Sequence, residues 1–350
     1  MLNESAVAEF VTKVAYPFSK PHLVNNTVPS GSLLEAVRFA GKNKIFPLFY
    51  QGCRKLHIQL PDEAEKRHAE YEKRRAAHNE TIEYLVEASA RTGIDLIFIK
   101  TFKPFDYVPD DIDLLLRNTD DLKGLQGLLK SKGFQLLKIG TPEVTMRRIY
   151  PGTYVDIDIH TSLAVGHLVL FDLEKVWRTR TYRTLETGLE VPVLPEYFEM
   201  VRESAYSLLK DFKISIPALY SAIHMFLTSE VQKGWKLAEE EGFCFHVYLF
   251  LEATRILAGR LFGLSGRQRE VGDGLLVKQA SRLVVADLNK SCRVPYAYPM
   301  LVIALAYFAR VVSETQRRGN LEAWLQLIKQ PSSKGIDILT DYVKGRPSMI

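Results

Sequence analysis

Two short stretches of this 350-residue chain carry carboxylates at a spacing that suits metal-ion chemistry. The first is DDIDLLL, with Asp111 and Asp113; the second is VDIDIH, with Asp156, Asp158 and His160. Successive side chains on a strand point to opposite faces, so residues two apart share a face. Asp111 and Asp113 are then expected on one surface, with Ile112, Leu114 and Leu116 turned to the core. The same alternation groups Asp156, Asp158 and His160, with Val155, Ile157 and Ile159 behind them. If the two strands are neighbours, three or four carboxylates converge and repel one another unless cations join them. Such a platform suits two Mg²⁺ ions about 3.5–4 Å apart, since Mg²⁺ takes hard oxygen ligands and substrate phosphates. One ion would activate an acceptor hydroxyl, while the other would hold a triphosphate and stabilise the departing pyrophosphate. Mn²⁺ is the alternative ion for the same oxygen ligands. A single D-h-D is common on solvated sheet faces; two of them, a helix and a hairpin apart, favour chemistry.

The elements that must position these residues are legible around them. Residues 94–100 (IDLIFIK) form a short apolar run rich in β-branched and aromatic residues, which reads as a buried strand. DIDLLLR at 111–117 reads as a second strand. A helix is expected over 119–132, capped by Thr119, lined by Leu122, Leu125, Leu128 and Leu129, and closed by Gly133. Strands at 143–150 and 154–160 flank Pro151-Gly152, a turn dipeptide that predicts a hairpin. A last strand is expected from 181 to 193.

On either side the sequence reads as helical. Ser32-Leu33-Leu34-Glu35 has the capping-box spacing. A long charged segment over 62–92, opened by Pro61, has Ile82, Leu85, Val86 and Ala90 at helical intervals, and Gly93 is placed to end it. After Pro195, the residues Tyr197, Val201, Ala205, Leu208 and Phe212 fall on one helical face. Further helical patterns lie near 218–227, 245–262, 275–288, 298–312 and 321–328. The expected fold class is α+β, in three parts: an N-terminal helical region over 1–93, a mixed α/β core over 94–195, and a C-terminal helical domain over 196–350.

Composition narrows the class without choosing a function. With 47% hydrophobic and 25% charged residues, the chain has ample material for a core, and a disordered or fibrous protein is excluded. The net charge of +5 permits an anionic partner such as a nucleotide or RNA without requiring one. Cys53, Cys244 and Cys292 have no CxxC spacing, which argues against a disulfide framework and a zinc site and fits a reducing cytoplasm. The most apolar window, 298–312, is shorter than the ~20 residues that span a bilayer. MLNESAVAEF lacks a basic segment before an apolar run, so no secretory signal is expected.

Residues 94–160 resemble the nucleotidyltransferase fold superfamily, which includes polymerase β-like and minimal nucleotidyltransferases. In that superfamily a strand enters a short h-G-[GS] turn, a D-h-[DE] strand follows, and a later strand gives a third carboxylate. Here Phe98-Ile99-Lys100-Thr101 ends the first strand, and Asp111-Ile112-Asp113 follows after nine residues. Asp158-Ile159-His160 is similar to the v-D-l-H strand of uncharacterised putative nucleotidyltransferase families. The resemblance implies a mixed β-sheet core that moves a nucleoside monophosphate from an NTP to an acceptor and releases pyrophosphate. It implies Asp111, Asp113 and Asp158 as the catalytic and metal-holding residues, with Asp156 as the alternative ligand that strand alternation equally allows. His160 reads as the end of its strand or as an orienting partner of Asp158.

Lys100-Thr101 stands where the superfamily has Gly-Gly or Gly-Ser; either the phosphates sit differently there or nucleotide binding has decayed, and the retained acidic residues favour the first. The nucleotide-binding candidates are Thr101 through its hydroxyl, Lys100 and Lys103 through charge, and Arg147 on the hairpin, where alternation sends either Arg147 or Arg148 to the acidic face. The same departure marks the alternative, a catalytically silent module that binds nucleotide or RNA. A nucleotidyltransferase-like toxin acting on tRNA or protein shares the chemistry and differs in acceptor. A two-metal phosphodiesterase fits less well, since no His-rich motif accompanies the aspartates. Tyr107 in the intervening loop, the basic run over 178–183, His224, His246 and the aromatic FCFHVYLF segment all read as structural.

Overall fold

The computed structural model describes residues 4–18, 33–139, 143–165, 168–264 and 275–318. Four helices come first: α1 (Glu4–Val14), α2 (Leu33–Lys42), α3 (Phe46–Lys55) and the 31-residue α4 (Asp62–Thr92). Acidic Asp62, Glu63 and Glu65 in the first turn of α4 complement the positive end of its dipole. Gly93 ends it in the left-handed conformation at φ 73°, returning its N–H to the Ser89 carbonyl.

The chain then enters β1 (Leu96–Ile99) and β2 (Asp111–Leu116), crosses α5 (Asp121–Ser131), and continues through β3 (Gln135–Ile139), β4 (Glu143–Tyr150) and β5 (Thr153–His160). A small ladder of β6 (Ala164–Val165) and β7 (Leu168–Val169) leads to α6 (Leu173–Thr179), then β8 (Thr181–Thr184) and β9 (Glu190–Val193). The rest is helical: α7 (Glu196–Leu209), α8 (Ile216–Thr228), α9 (Val231–Glu241), α10 (Cys244–Phe262), α11 (Leu275–Lys290) and α12 (Met300–Arg318). A second small ladder pairs β10 (Lys213–Ile214) with β11 (Tyr296–Ala297).

The fold is mixed α+β. Its seven-stranded sheet runs β3-β4-β5-β2-β1-β9-β8. Strands β2 and β5 are parallel neighbours, with Asp111 beside Asp156 and Asp113 beside Asp158. Strand β1 runs antiparallel to β2 and sets Ile99 opposite Asp113.

Alternation divides the sheet into two apolar faces. Ile112, Leu114, Leu116, Val155, Ile157 and Ile159 pack under α4 and α5 against Ile82, Leu85, Leu125 and Leu129. On the other face Ile97, Ile99 and Leu115 join a larger core that also takes Val11, Phe49, Phe198, Val201 and Phe250. Burying each such aliphatic side chain stabilises the fold by about 1.5–3 kcal/mol. The acidic residues of β2 and β5 share this second face and lie where its apolar lining gives out.

Several local expectations change. The strand expected over 181–193 is a hairpin, because the chain reverses at Gly188, whose φ is 82°. Thr119 is not the cap of α5; Asp120 takes that position. Phe212 lies beyond α7, in a left-handed conformation at φ 56°. Strand β3, α6 and α9 add to the expected elements. Ser32 and the helical pattern over 321–328 fall outside the described residues. Among the described residues, no helix is long and apolar enough to cross a membrane.

Candidate functional site

The register of β2 and β5 brings three chemistry-bearing groups together: Asp113, Asp158 and His160 each offer a ligand atom within 4.8 Å of the others. Asp113 is the most enclosed of the four aspartates on β2 and β5, only 5% exposed. Its Oδ1 accepts hydrogen bonds from Lys100 Nζ at 2.5 Å and from His160 Nε2 at 2.8 Å. An ionised carboxylate only accepts, so His160 carries its proton on Nε2 in this arrangement. Asp158 accepts from the Thr145 hydroxyl at 2.6 Å, across the β4–β5 pairing.

Asp111 borders this trio, close enough to feel its charge. Burial and the like charges of Asp113 and Asp158 push its carboxyl up to about 7. Burial pushes Asp113 up as well, but Lys100 and His160 outweigh it and hold that carboxyl well below the usual range. Two carboxylates one residue apart on a face are thus driven in opposite directions. Asp113, Asp158 and His160 could together hold a metal ion, and the two carboxylates supply the hard oxygen atoms that a divalent cation takes.

Asp156 shares the face but not the cluster. Arg147 grips both its oxygens, Nε at 2.6 Å and an Nη at 2.7 Å, and the guanidinium lies 4.1 Å from the Tyr154 ring centre. Arg148 points the other way, to Glu80 and the Tyr150 hydroxyl. The pair therefore divides as alternation requires, and Arg147 is the one on the acidic side.

The Lys100-Thr101 turn is held from three directions. Lys100 adopts φ 59°, the left-handed conformation that glycine takes freely. Its N–H donates to Glu199 on α7 at 2.9 Å, and its ammonium lies 5.2 Å from the Tyr206 ring centre. Thr101 is buried; its hydroxyl donates to the Ile99 carbonyl and accepts the Asp113 N–H at 3.2 Å. Lys103 pairs with Glu203 at 3.0 Å, and burial notwithstanding, Lys103 and Arg202 hold the Glu203 carboxyl at about 2. Arg202 ties Glu199 to Glu203.

Beyond this turn lies a cavity of about 430 Å³, between the β8–β9 hairpin and helices α7 and α8. Phe98, Phe102, Met200 and Met225 give it apolar walls, and Lys103 and Glu196 give it charged ones. Its size lies within the range of small-molecule sites.

Compared with known proteins, the chain matches no family model and no curated protein. The site therefore stands on its own geometry. That geometry adds residues the sequence did not single out. Lys44 and Arg74 both reach Asp110, at 2.7 and 3.1 Å, and place two cations at the rim beside Asp111. The Lys210 ammonium lies 5.3 Å from the Tyr206 ring centre at the opposite rim. Glu199, 99 positions from Lys100, fixes the turn. No local pattern announces contacts of that range; His160 was visible in VDIDIH, but its bond to Asp113 needed the β2–β5 register.

Proposed function

We propose that this protein transfers a nucleoside monophosphate from an NTP to an acceptor and releases pyrophosphate, using Asp111, Asp113 and Asp158 to hold Mg²⁺. The observation that carries this is the parallel β2–β5 register, which aligns Asp113 with Asp158, brings His160 to the same cluster and keeps Asp111 on the same face. When bound, the cation would offset charge on the triphosphate and help the pyrophosphate leave. The resemblance of 94–160 to the nucleotidyltransferase superfamily supports the same reading.

The chain's own residues divide the remaining work. Lys44, Arg74 and Lys210 line the rims with positive charge suited to phosphate oxygens. The 430 Å³ cavity beside the Lys100 turn gives room for a nucleoside or a small acceptor. In the transfer, the acceptor oxygen bonds to the α-phosphorus while the bond to the bridging oxygen breaks. Pyrophosphate departs, and the hydroxyl proton passes to the carboxylate cluster.

One observation favours a second reading. The Lys100 ammonium already partners Asp113, as expected of a module that binds nucleotide without transferring it. Incubation with each labelled NTP, Mg²⁺ and candidate acceptors, including tRNA and the protein itself, separates the two. Transfer is expected from the wild type and should fall at least 100-fold in Asp113→Asn, the scale of losing one essential charged partner in a transition state. Binding without transfer to any acceptor would leave the silent module, and equal transfer by the variant would remove the carboxylates from the mechanism.

A further inference from the structure

The cavity beyond the Lys100 turn has room for a small molecule, and its walls are built for a ring. Phe98, Phe102, Met200, Met225 and Phe250 line the interior. Aromatic rings and thioethers pack well against another flat ring. The β8–β9 hairpin forms one wall and is pinned there by Arg183, from the basic run of 178–183. That guanidinium donates to the Lys103 carbonyl at 3.1 Å and lies 5.3 Å from the Phe102 ring centre. Ser221 of α8 lines the same space, and its Oγ is buried with no hydrogen-bond partner among the described residues. Buried polar atoms are normally paired, so a hydroxyl left unmet in a cavity wall is a place for a ligand's polar group.

Charge decides between a nucleotide and an uncharged ligand. Glu196, Glu199 and Glu203 share one face of α7 and line the cavity. Lys103, Arg183 and the buried Arg202 match them, which leaves no surplus positive charge there for a triphosphate. Cations suited to phosphate stand on the other side of the carboxylates. Lys44 and Arg74 reach Asp110, next to Asp111, and Arg74 lies 5.8 Å from the ring centre of Tyr154 on β5. In the sheet order, β5 and β2 with their carboxylates separate β4 from the β1, β9 and β8 strands that border the cavity. Lys100 joins the two regions, since it lines the cavity and its ammonium lies 2.5 Å from Asp113 Oδ1.

We propose that this cavity holds the acceptor, and that the acceptor is a small uncharged molecule with an aromatic ring, a hydroxyl to react and a second polar group to meet Ser221. This rests on the transfer reaction proposed above, whose acceptor it specifies. The nucleotide then lies on the Lys44 and Arg74 side and the acceptor on the Lys100 side, with the carboxylates between them. A space of about 430 Å³ admits such a molecule whole.

The test is calorimetric titration of the full chain with p-hydroxybenzyl alcohol, with its carboxylate counterpart p-hydroxybenzoate, and with each NTP plus Mg²⁺. The uncharged probe should bind, the carboxylate should not, and the probe should bind equally well when Mg²⁺–NTP is already present. Ser221→Ala should weaken the probe about fivefold, the scale of one neutral hydrogen bond. Ser221→Phe fills the space and should abolish probe binding while leaving Mg²⁺–NTP binding at wild-type strength; circular dichroism checks that both variants fold. No probe binding in wild type, equal binding of the carboxylate, or unchanged probe binding in either folded variant would overturn the proposal. Competition between probe and NTP, or loss of NTP binding in folded Ser221→Phe, would also overturn it, giving the cavity to the nucleoside and leaving the transfer reaction standing. Absence of Mg²⁺-dependent NTP binding in wild type would instead overturn the transfer reaction, and the acceptor role with it.

Discussion

Asp111 and Asp113 show how burial and neighbours set the chemistry of one side chain against another. Asp111 is raised to about 7 by burial and by the charges of Asp113 and Asp158, so a proton competes with any cation there. We expect Mn²⁺ affinity to be about tenfold lower at pH 6 than at pH 8, since the ionised fraction changes by that factor around such a value. Calorimetry in buffers of different ionisation enthalpy should show about one proton released per ion at pH 6, and Asp111→Asn should lose both effects. The same shift has a consequence for stability, with a definite sign. Because the folded state raises this carboxyl above its ordinary value of 3.8, its stabilising contribution is present below that value and is lost as pH rises to about 7. Metal-free Asp111→Asn should therefore be more stable than wild type at pH 8, with the advantage gone near pH 4, as urea unfolding would measure. Asp113 has the opposite sign. Its contribution is present above the ordinary carboxylate value and lost in acid, because Lys100 and His160 favour the charged form despite burial. Asp113→Asn strands the Lys100 ammonium and should cost about 3 kcal/mol at pH 7 in the same measurement.

At the level of elements, the β4–β5 hairpin sets where Asp158 lies. Gly152 turns it at φ 76°, and a Cβ there would come no nearer than 3.5 Å to Lys73 Nζ, so the obstacle to a side chain is conformational. Gly152→Ala should cost about 1–2 kcal/mol in urea unfolding and weaken Mn²⁺ binding only slightly. A loss above ~4 kcal/mol would mean that the turn carries packing this account assigns to the strands. The hairpin, β2 and the faces of DIDLLL and VDIDIH were legible because their period-two alternation matches burial on one side and acid on the other. Strand β3 was not: QLLKI is exposed along its length at the sheet edge and has no inward face to leave a pattern. Helix α9 is short and its sequence VQKGWKLAEEE is largely polar, which hid it as well. At the site, the sequence placed the carboxylates on one surface and marked Lys100-Thr101 as a departure from glycine. It did not show that Lys100 keeps the left-handed turn, or that its ammonium folds back onto Asp113. Those depend on Glu199 and Tyr206, contributed by a helix about a hundred positions away.

Taken as a whole, the molecule sets its acidic cluster where the sheet meets the C-terminal helices. Ile97, Ile99 and Leu115 belong to the same apolar core as Phe198 and Val201 of α7, so the sheet has no finished second face without those helices. A fragment spanning residues 94–195 should accordingly fail to fold cooperatively and should bind a hydrophobic dye, whereas the full chain should unfold in a transition that includes the sheet. Holding the turn from α7 also couples the cavity to the carboxylates, through Glu199 on one side and the Lys103–Glu203 pair on the other. The most direct test of the account is calorimetric titration of the full chain with each NTP, with and without Mg²⁺. Metal-dependent binding of at least one NTP, lost in Asp113→Asn and Asp158→Asn, is the result expected of a carboxylate platform for a metal–nucleotide complex. NTP binding of equal strength with and without Mg²⁺, undisturbed by either substitution, would contradict it.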